Sequence, residues 1–508
     1  MSKIKYKKSK ERIIIKPIQE GRYIRDFGVA TSISVSVKKT RREFGAHLTS
    51  VDIFKKFIFP EIKDILHKYV WVDLFCGEGN LILPILEAIP EKERENFFEK
   101  HIFLFDIQRE MVEKSIKNAQ KYGISAELAR KNIQIRDTLA DYPKFIKNLK
   151  YPVYHITNPP YLYLGYIAKN SERNLKYFVG QNEGYQDLYQ IALMNDLRNG
   201  LEKLIYIIPT NFLFGFSVSN KIRKDLLPFY KIKKAVIFER KIFEFTGTNV
   251  CICFFEKKPI ISNDPIVFKA VKINSITQRK TYRLTPQNFY RAGGEFDEYV
   301  SHFRVRSPLK VKFYLTLKEV NENKGNKTIK LLDVNSFSNG YFKFNIYKVN
   351  QNFYKRLQAN PLFVRTLDTG SWGGRLGIYN AKESFGVDGI VVTKEKYRTH
   401  PIQIFIKPEL SKDDLMLLKS YFNFILEYFR DITDSEFLTT FKYSNSEYVR
   451  KYLGLSQTKK LIETLPLHIM SDREKNILKI LIEQKNIEGL KNVLSNLSIR
   501  DNSQSKLF

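Results

Sequence analysis

Between about residues 70 and 256, short apolar runs alternate with longer segments whose apolar positions recur at helical spacing. The runs are Val70–Phe75, His101–Phe105, Asn132–Ile135, Val153–Thr157, Leu204–Pro209, Lys234–Glu239 and Val250–Glu256. Between them, 81–89, 109–122, 186–199 and 218–228 carry the three-to-four spacing of helices. Alternating strands and helices predict an α/β fold built on a mostly parallel, doubly wound sheet with right-handed crossovers. Ligands of such sheets bind outside the carboxyl ends of the strands, where the strand order reverses. Ahead of the sheet, 51–69 reads as a helix interrupted at Pro60 and capped by Ser50 or Thr49. The polar and aromatic stretch 162–183 reads as a loop. Beyond about 260 the rhythm fades into isolated β-like runs (389–393 and 402–406), an amphipathic helix at 415–428, and a charged helical tail from Asp472. The expected domains are a basic arm (1–40), a ligand-binding α/β domain (41–260), a mixed α+β domain (261–470) and a helical tail (471–508).

The fourth run ends in Asn158-Pro159-Pro160-Tyr161. Neither proline has an N–H to donate, and each holds the preceding residue extended. The backbone after Asn158 is therefore stiff, with free carbonyls, beside a side-chain carbonyl and an aromatic ring. Two acceptors and a stacking plate at a strand end suit a planar ring with an exocyclic amino group. Taken alone, the tetrapeptide also reads as an ordinary turn.

The first run leads into Asp73-Leu74-Phe75-Cys76-Gly77-Glu78-Gly79-Asn80, a strand, a tight glycine turn and a helix. That arrangement brings backbone close to a nucleotide-like ligand. Leu81 and Ile82 follow, so the third glycine of a dinucleotide fingerprint is absent, as is a phosphate-binding Lys-Ser/Thr pair. The second strand closes on Asp106-Ile107, about 30 residues after the glycines, where a carboxylate takes ribose hydroxyls. Asp137-Thr138 follows the third strand, and Asp137 is placed to accept from an amino group. Each acid alone also reads as a solvated strand end; the three recur at successive strands. Gly45 to Ser50 forms a small-residue turn feeding a helix, able to present backbone N–H groups to an anion.

Charge narrows the partners. The 508 residues carry 85 Lys and Arg against 54 Asp and Glu, a formal net charge of +31. That excess points to a polyanion, nucleic acid first, with a ribosome-like or membrane-surface role, or a generally lysine-rich composition, as the alternatives. Three cysteines, Cys76, Cys251 and Cys253, make no disulfide framework and no zinc pattern, which implies a reducing compartment. The basic N-terminus lacks the apolar core of a secretory signal, and no run approaches the roughly 18 apolar residues of a membrane span. A cytoplasmic protein without membrane or metal is expected.

Together these motifs resemble the gamma class of amino-group DNA methyltransferases of restriction–modification systems, over roughly residues 41–258. The resemblance implies a class I, Rossmann-like fold with S-adenosyl-L-methionine as cofactor. Gly45 and Thr49 look like the motif closing over its methionine end. Asp73, Phe75, Cys76, Gly77 and Gly79 match the first cofactor motif, Asp106 and Ile107 the pair at the ribose and adenine, and Asp137 and Thr138 the adenine edge. Asn158, Pro159, Pro160 and Tyr161 match the catalytic motif of the amino-methylating enzymes. Ile207 to Leu213 resembles the next conserved strand and turn, and Phe243, within Ile242 to Val250, the aromatic that packs on a flipped base. Asn80, Ser50 and Leu74 depart from the frequent glycine and prolines of these motifs. The implied reaction is methyl transfer to adenine N6 in double-stranded DNA. The implied setting is a monomeric modification enzyme whose cognate restriction endonuclease acts separately. Methyltransferases of RNA, or of glutamine amides in proteins, also use Asn-Pro-Pro-Tyr, and RNA is the alternative substrate. The other alternative is a non-catalytic DNA-recognition subunit that keeps the fold, against which the intact motifs speak. The resemblance puts target reading in the C-terminal half, where the glycine-rich turn Ser371 to Tyr379 is a candidate DNA-facing loop or a structural β-turn.

Overall fold

The computed structural model describes residues 49–170, 172–239, 242–243, 249–273, 276–338, 341–368, 375–394, 401–432, 438–439 and 451–504. Gly45, the basic arm 1–40 and residues 371–374 of the glycine-rich turn lie outside them. The chain divides into two compact units: among the described residues, the first holds 49–294 together with 438–439, and the second holds 295–432 and 451–504.

The first unit is built on nine strands: β1 (Val70–Asp73), β2 (Ile102–Asp106), β3 (Ile133–Ile135), β4 (Val153–Thr157), β5 (Lys203–Pro209), β6 (Tyr230–Phe238), β7 (Val250–Lys257), β8 (Ile266–Ile273) and β9 (Thr277–Leu284). Their order is β3-β2-β1-β4-β5-β7-β6-β8-β9. Strands β1 to β5 are mutually parallel, whereas β7 runs antiparallel to both β5 and β6. All four residues of β1 are buried, as expected of a strand covered on both faces. From β1 the chain winds outward through β2 and β3, then returns to β4 on the other side. Val70 pairs with Val153 and Val72 with His155, so the carboxyl ends of β1 and β4 lie side by side at the point of reversal.

Helix α1 (Arg109–Gln120) buries Met111, Val112, Ser115, Ile116 and Ala119, one stripe at helical spacing. Helix α2 (Leu188–Arg198) is buried along almost its whole length. Residues 51–68 pass through α, π and 3₁₀ geometry around Pro60, with a kink at Ile65, whose backbone is not helical. Ser50 holds the N-cap position, though its side chain makes no capping bond.

Three expectations are corrected. The sheet does not close near 260: β8 pairs parallel with β6 and β9 antiparallel with β8, and the unit ends at Gly294. Strand β8 alternates Ile266, Phe268 and Ala270 inward with exposed neighbours, so it lacks the continuous apolar run of the central strands. The supposed loop 162–183 contains the helix Leu164–Asn170 and 3₁₀ segments Glu172–Phe178 and Gly180–Asn182. The C-terminal helices are not a tail: in the second unit Leu478, Leu490, Leu494 and Leu497 share one core with Leu418, Phe422, Ile425 and Phe429 of α3 (Lys412–Ile432). That unit also holds two four-stranded sheets, one of them carrying the antiparallel hairpin Lys324–Ser338/Tyr341–Val349.

Candidate active site

The site grows from the ends of β1 and β4. Gly77 and Gly79 both take positive φ (53° and 82°), which L side chains avoid. A Cβ on Gly79 would lie 2.5 Å from Leu83 Cδ1 and 2.8 Å from Ser115 Oγ, so a side chain there would displace these two groups as well as strain the turn. Asp106, at the end of β2, binds the turn directly: Oδ2 accepts from Gly77 N (2.9 Å) and Oδ1 from Gln108 N (2.8 Å). Expected to take ribose hydroxyls, Asp106 lines neither pocket of this region and is engaged in pinning the turn.

Asp73 joins the two strands. Its Oδ1 accepts from the Thr157 hydroxyl (2.6 Å) and the Phe75 amide (2.9 Å), tying the end of β1 to the residue before Asn158. Burial outweighs those bonds and lifts its pKa to about 6. Burial also pushes up the Cys76 thiol, so Cys76 is neutral packing beside the turn.

Thr49 ties the helical entry to both motifs. The Asn158 amide donates to its hydroxyl (2.9 Å) and the Asn80 amide to its carbonyl (2.9 Å). Asn80, a departure by sequence, thus does work a glycine lacks the side chain for. The Asn158 amide oxygen faces the Tyr161 hydroxyl, which also reaches the Ile207 carbonyl (2.6 Å). Tyr161 has one proton for these two acceptors, and burial pushes its pKa up.

Tyr161 differs from the expected open stacking plate. It is 6 % exposed, its ring edge-on to Tyr189. Phe243 is likewise packed in the apolar core of the unit. Aromatic rings carry large apolar surfaces that favour such burial. Stacking on either ring requires present contacts to give way.

Two pockets meet at Phe75. One is lined by Thr49, Asp73, Cys76, Gly77, Asn80 and Asn158. The other has apolar walls from Phe75, Ile107, Leu139, Pro160 and Leu188, with Asp137 at its polar edge. Ile107 is 45 % exposed there, an apolar surface offered to a flat ring. Thr138 also lines it, while its hydroxyl donates to the Leu74 carbonyl (2.8 Å) and so holds strand to strand. Together the pockets suit a ligand with a planar heterocycle at one end and a polar, cationic group near Asp73 at the other. Among the described residues there is no cluster of three or more metal-ligating side chains, and no helix long and apolar enough to cross a membrane.

Three elements escaped sequence reading. His155, fully buried in β4, accepts the Leu74 N–H on Nε2 (3.2 Å) and faces Asp196 Oδ2 through Nδ1 (2.6 Å). A backbone N–H needs a lone pair, so Nε2 is unprotonated and Nδ1 carries the proton towards Asp196. Tyr206 (2.6 Å) and Tyr142 (3.0 Å) also donate to Asp196, a buried polar network directly behind the turn. A lone histidine in a β-branched strand was its only signal. Asp196→Asn is expected to lower the unfolding free energy by about 2 kcal/mol through loss of charge-assisted bonds. An unchanged urea midpoint at constant slope would show that the network carries no stability. Second, Asp187 anchors the chain just after Tyr161 by accepting from Leu162 N (2.9 Å), and burial lifts its pKa to about 7. Third, Lys176 and Tyr177 reach Asp137 from the segment read as a loop.

A family model described as N-6 DNA Methylase matches residues 38–336. No curated protein matches the chain by sequence. Among solved structures, the Type IIL restriction-modification enzyme MmeI in complex with DNA aligns at 12 % identity and TM-score 0.50, over 92 % of this chain and 77 % of that one. That likeness is one of fold. A modification subunit of a putative type I restriction enzyme from Vibrio vulnificus YJ016 aligns at 15 % identity and TM-score 0.34, over 67 % of this chain and 60 % of the other. The DrdV–DNA complex aligns at 12 % identity and TM-score 0.35, over 49 % of this chain and 31 % of the other. The chain thus spans less than two thirds of the latter two proteins.

Proposed function

Since the chain belongs to the N-6 DNA methylase family, we propose that it is the modification enzyme of a restriction–modification system, methylating adenine N6 at specific sites in double-stranded DNA. The observation that carries this reading is the juxtaposition of Asn158 with the glycine turn through Thr49 and Asp73. The paired pockets fit S-adenosyl-L-methionine: Phe75, Ile107, Pro160 and Asp137 at its adenine, Thr49, Asp73, Gly77 and Asn158 at its methionine end. When bound, it supplies an electrophilic methyl group on a sulfonium.

The rest is done by the chain. An adenine amino group is a poor nucleophile because its lone pair is conjugated into the ring. The Asn158 amide oxygen and the Pro159 carbonyl accept its two hydrogens, favour a pyramidal nitrogen and aim the lone pair. Positioning and oriented dipoles supply the rate, with no strong base required. Tyr161 and Thr49 hold the Asn158 amide from its two ends before the base enters. The base is unreachable inside a duplex and is flipped out, at a cost of a few kcal/mol. Stacking against Tyr161 or Phe243, once their packing opens, offsets about 1–3 kcal/mol of that. The second unit, 295–508, is the proposed reader of DNA sequence, and the cytoplasm the proposed location.

The test is transfer of labelled methyl to unmethylated DNA, followed by nucleoside analysis. N6-methyladenine is the expected product; label appearing only in RNA, or none at all, sinks the reading.

Asp73 gives a pH prediction. A cation beside it favours the carboxylate, whereas below pH 6 a proton competes for the same site. Cofactor affinity should be constant above pH 6 and fall by up to about tenfold per unit below it. The free fold responds in the opposite sense: its raised carboxyl penalises the ionised state above pH 6, and protonation relieves that penalty as pH falls. Calorimetric titration on either side of pH 6 decides, and flat affinity removes Asp73 from the cofactor's charged end.

A further inference from the structure

We propose that the segment Glu172–Phe178 is a wall of the cofactor's purine pocket, and that Tyr177, assisted by Lys176, positions Asp137 to select a purine bearing an exocyclic amino group. The inference rests on the reading of the site as a methyltransferase cofactor site.

The segment belongs to an excursion that leaves the sheet after Tyr161 and returns at Asp187. Both ends are fastened together: Leu162 N donates to Asp187 Oδ1 and Leu164 N to the Gln186 carbonyl, each at 2.9 Å. Within it, the chain folds back over the end of β3. The Tyr177 hydroxyl donates to Asp137 Oδ2 (2.7 Å), and Lys176 Nζ approaches the same oxygen (3.2 Å). Tyr177 is 8 % exposed, and its carbonyl accepts from Asn182, which in turn accepts from Arg198 of α2 (2.7 Å). The segment is therefore tied to α2 through Asn182 and to Asp137 through Tyr177 and Lys176, and Asn174, Lys176 and Tyr177 all line the pocket.

The chemistry follows from counting acceptor positions. Asp137 Oδ2 is occupied by two donors, and Oδ1 receives Ala140 N at 3.3 Å. One acceptor position on Oδ1 remains, beside apolar walls that take a flat ring. An amino group satisfies it; a ring carbonyl at the same place would face a carboxylate oxygen with nothing to donate. Without the Tyr177 hydroxyl the carboxylate keeps only the long Ala140 N–H bond and the screened Lys176 pair, and the edge is held less firmly in direction. The Lys176 side chain is 60 % exposed, so its pair is screened and the buried hydroxyl of Tyr177 carries most of the positioning.

The experiment compares binding of S-adenosylhomocysteine with that of its 6-oxo analogue, in which the purine amino group is a carbonyl. The full-length wild type is expected to favour the amino compound by at least about tenfold, as sites built around a hydrogen bond reject analogues lacking it. Tyr177→Phe should cut that preference about fivefold and raise KM for S-adenosylmethionine with kcat unchanged, the effect of about one lost hydrogen bond. Asp137→Asn keeps the volume and can donate, so its preference should move towards the oxo compound even if Tyr177→Phe misfolds. A wild type that binds neither compound overturns the methyltransferase reading and this inference with it. A wild type that discriminates, beside a folded Tyr177→Phe with unchanged preference and KM, overturns the inference alone. Equal wild-type affinity for the two compounds also overturns it.

Discussion

Asn158→Ala should lower the turnover number for methyl transfer about 10²–10³-fold, the usual loss when one preorganised hydrogen-bonding dipole is removed from a reacting centre. On the proposed mechanism, the substitution removes the acceptor for one amino hydrogen while the Pro159 carbonyl stays. Half-buried at the end of β4, Asn158 contributes little to the core, so the fold should survive. Its bond to Thr49 is lost as well, which loosens the entry to the methionine end. The variant should therefore show a modest rise in KM for the cofactor beside the large fall in kcat. Single-turnover methylation, with cofactor binding measured separately, distinguishes the two effects. A variant that binds cofactor and DNA and still methylates at the wild-type rate would remove Asn158 from the chemistry.

The second large effect concerns salt. Each phosphate neutralised by Lys or Arg releases condensed counterions, so a protein making 6–10 such contacts loses about 10³–10⁵ in affinity between about 50 and 200 mM salt. A net charge of +31 gives this chain ample cations for that number of contacts. Along the hairpin Lys324–Ser338/Tyr341–Val349, Lys324, Lys327, Lys343 and Lys348 are exposed, a basic ribbon of the kind a groove admits. Replacing two of these lysines with alanine should reduce the slope of log K against log salt by about two if both touch phosphates. Filter binding or anisotropy across the salt range reads the slope. A salt-independent affinity would mean that the charge excess serves something other than DNA.

Much of the candidate site's local geometry was legible one residue at a time. Asn158 to Tyr161 announced itself because two prolines in a row after an apolar run leave few backbone options. Gly77 and Gly79 were legible because a turn with positive φ at both positions has few alternatives. Buried parallel strands write continuous apolar runs, so the central sheet could be read from the chain. The alternating β8 wrote a weaker signal, and the boundary near 260 fell short of Gly294 for that reason.

By itself, then, the sequence determined the βα rhythm, the two motifs that end β1 and β4, and the charge that points to nucleic acid; these are local or compositional properties. The tertiary structure alone decided what those motifs touch. Thr49 meets Asn158 across 109 positions, Asp73 meets Thr157 across 84, and Tyr177 meets Asp137 across 40. It also turned Tyr161 from an open plate into a buried clamp on Asn158, and Asp106 into a pin for the glycine turn. The physical reason is that a side-chain hydrogen bond depends on position and direction in space. Those follow from strand order and register, and neither leaves a mark in the neighbouring residues of the chain.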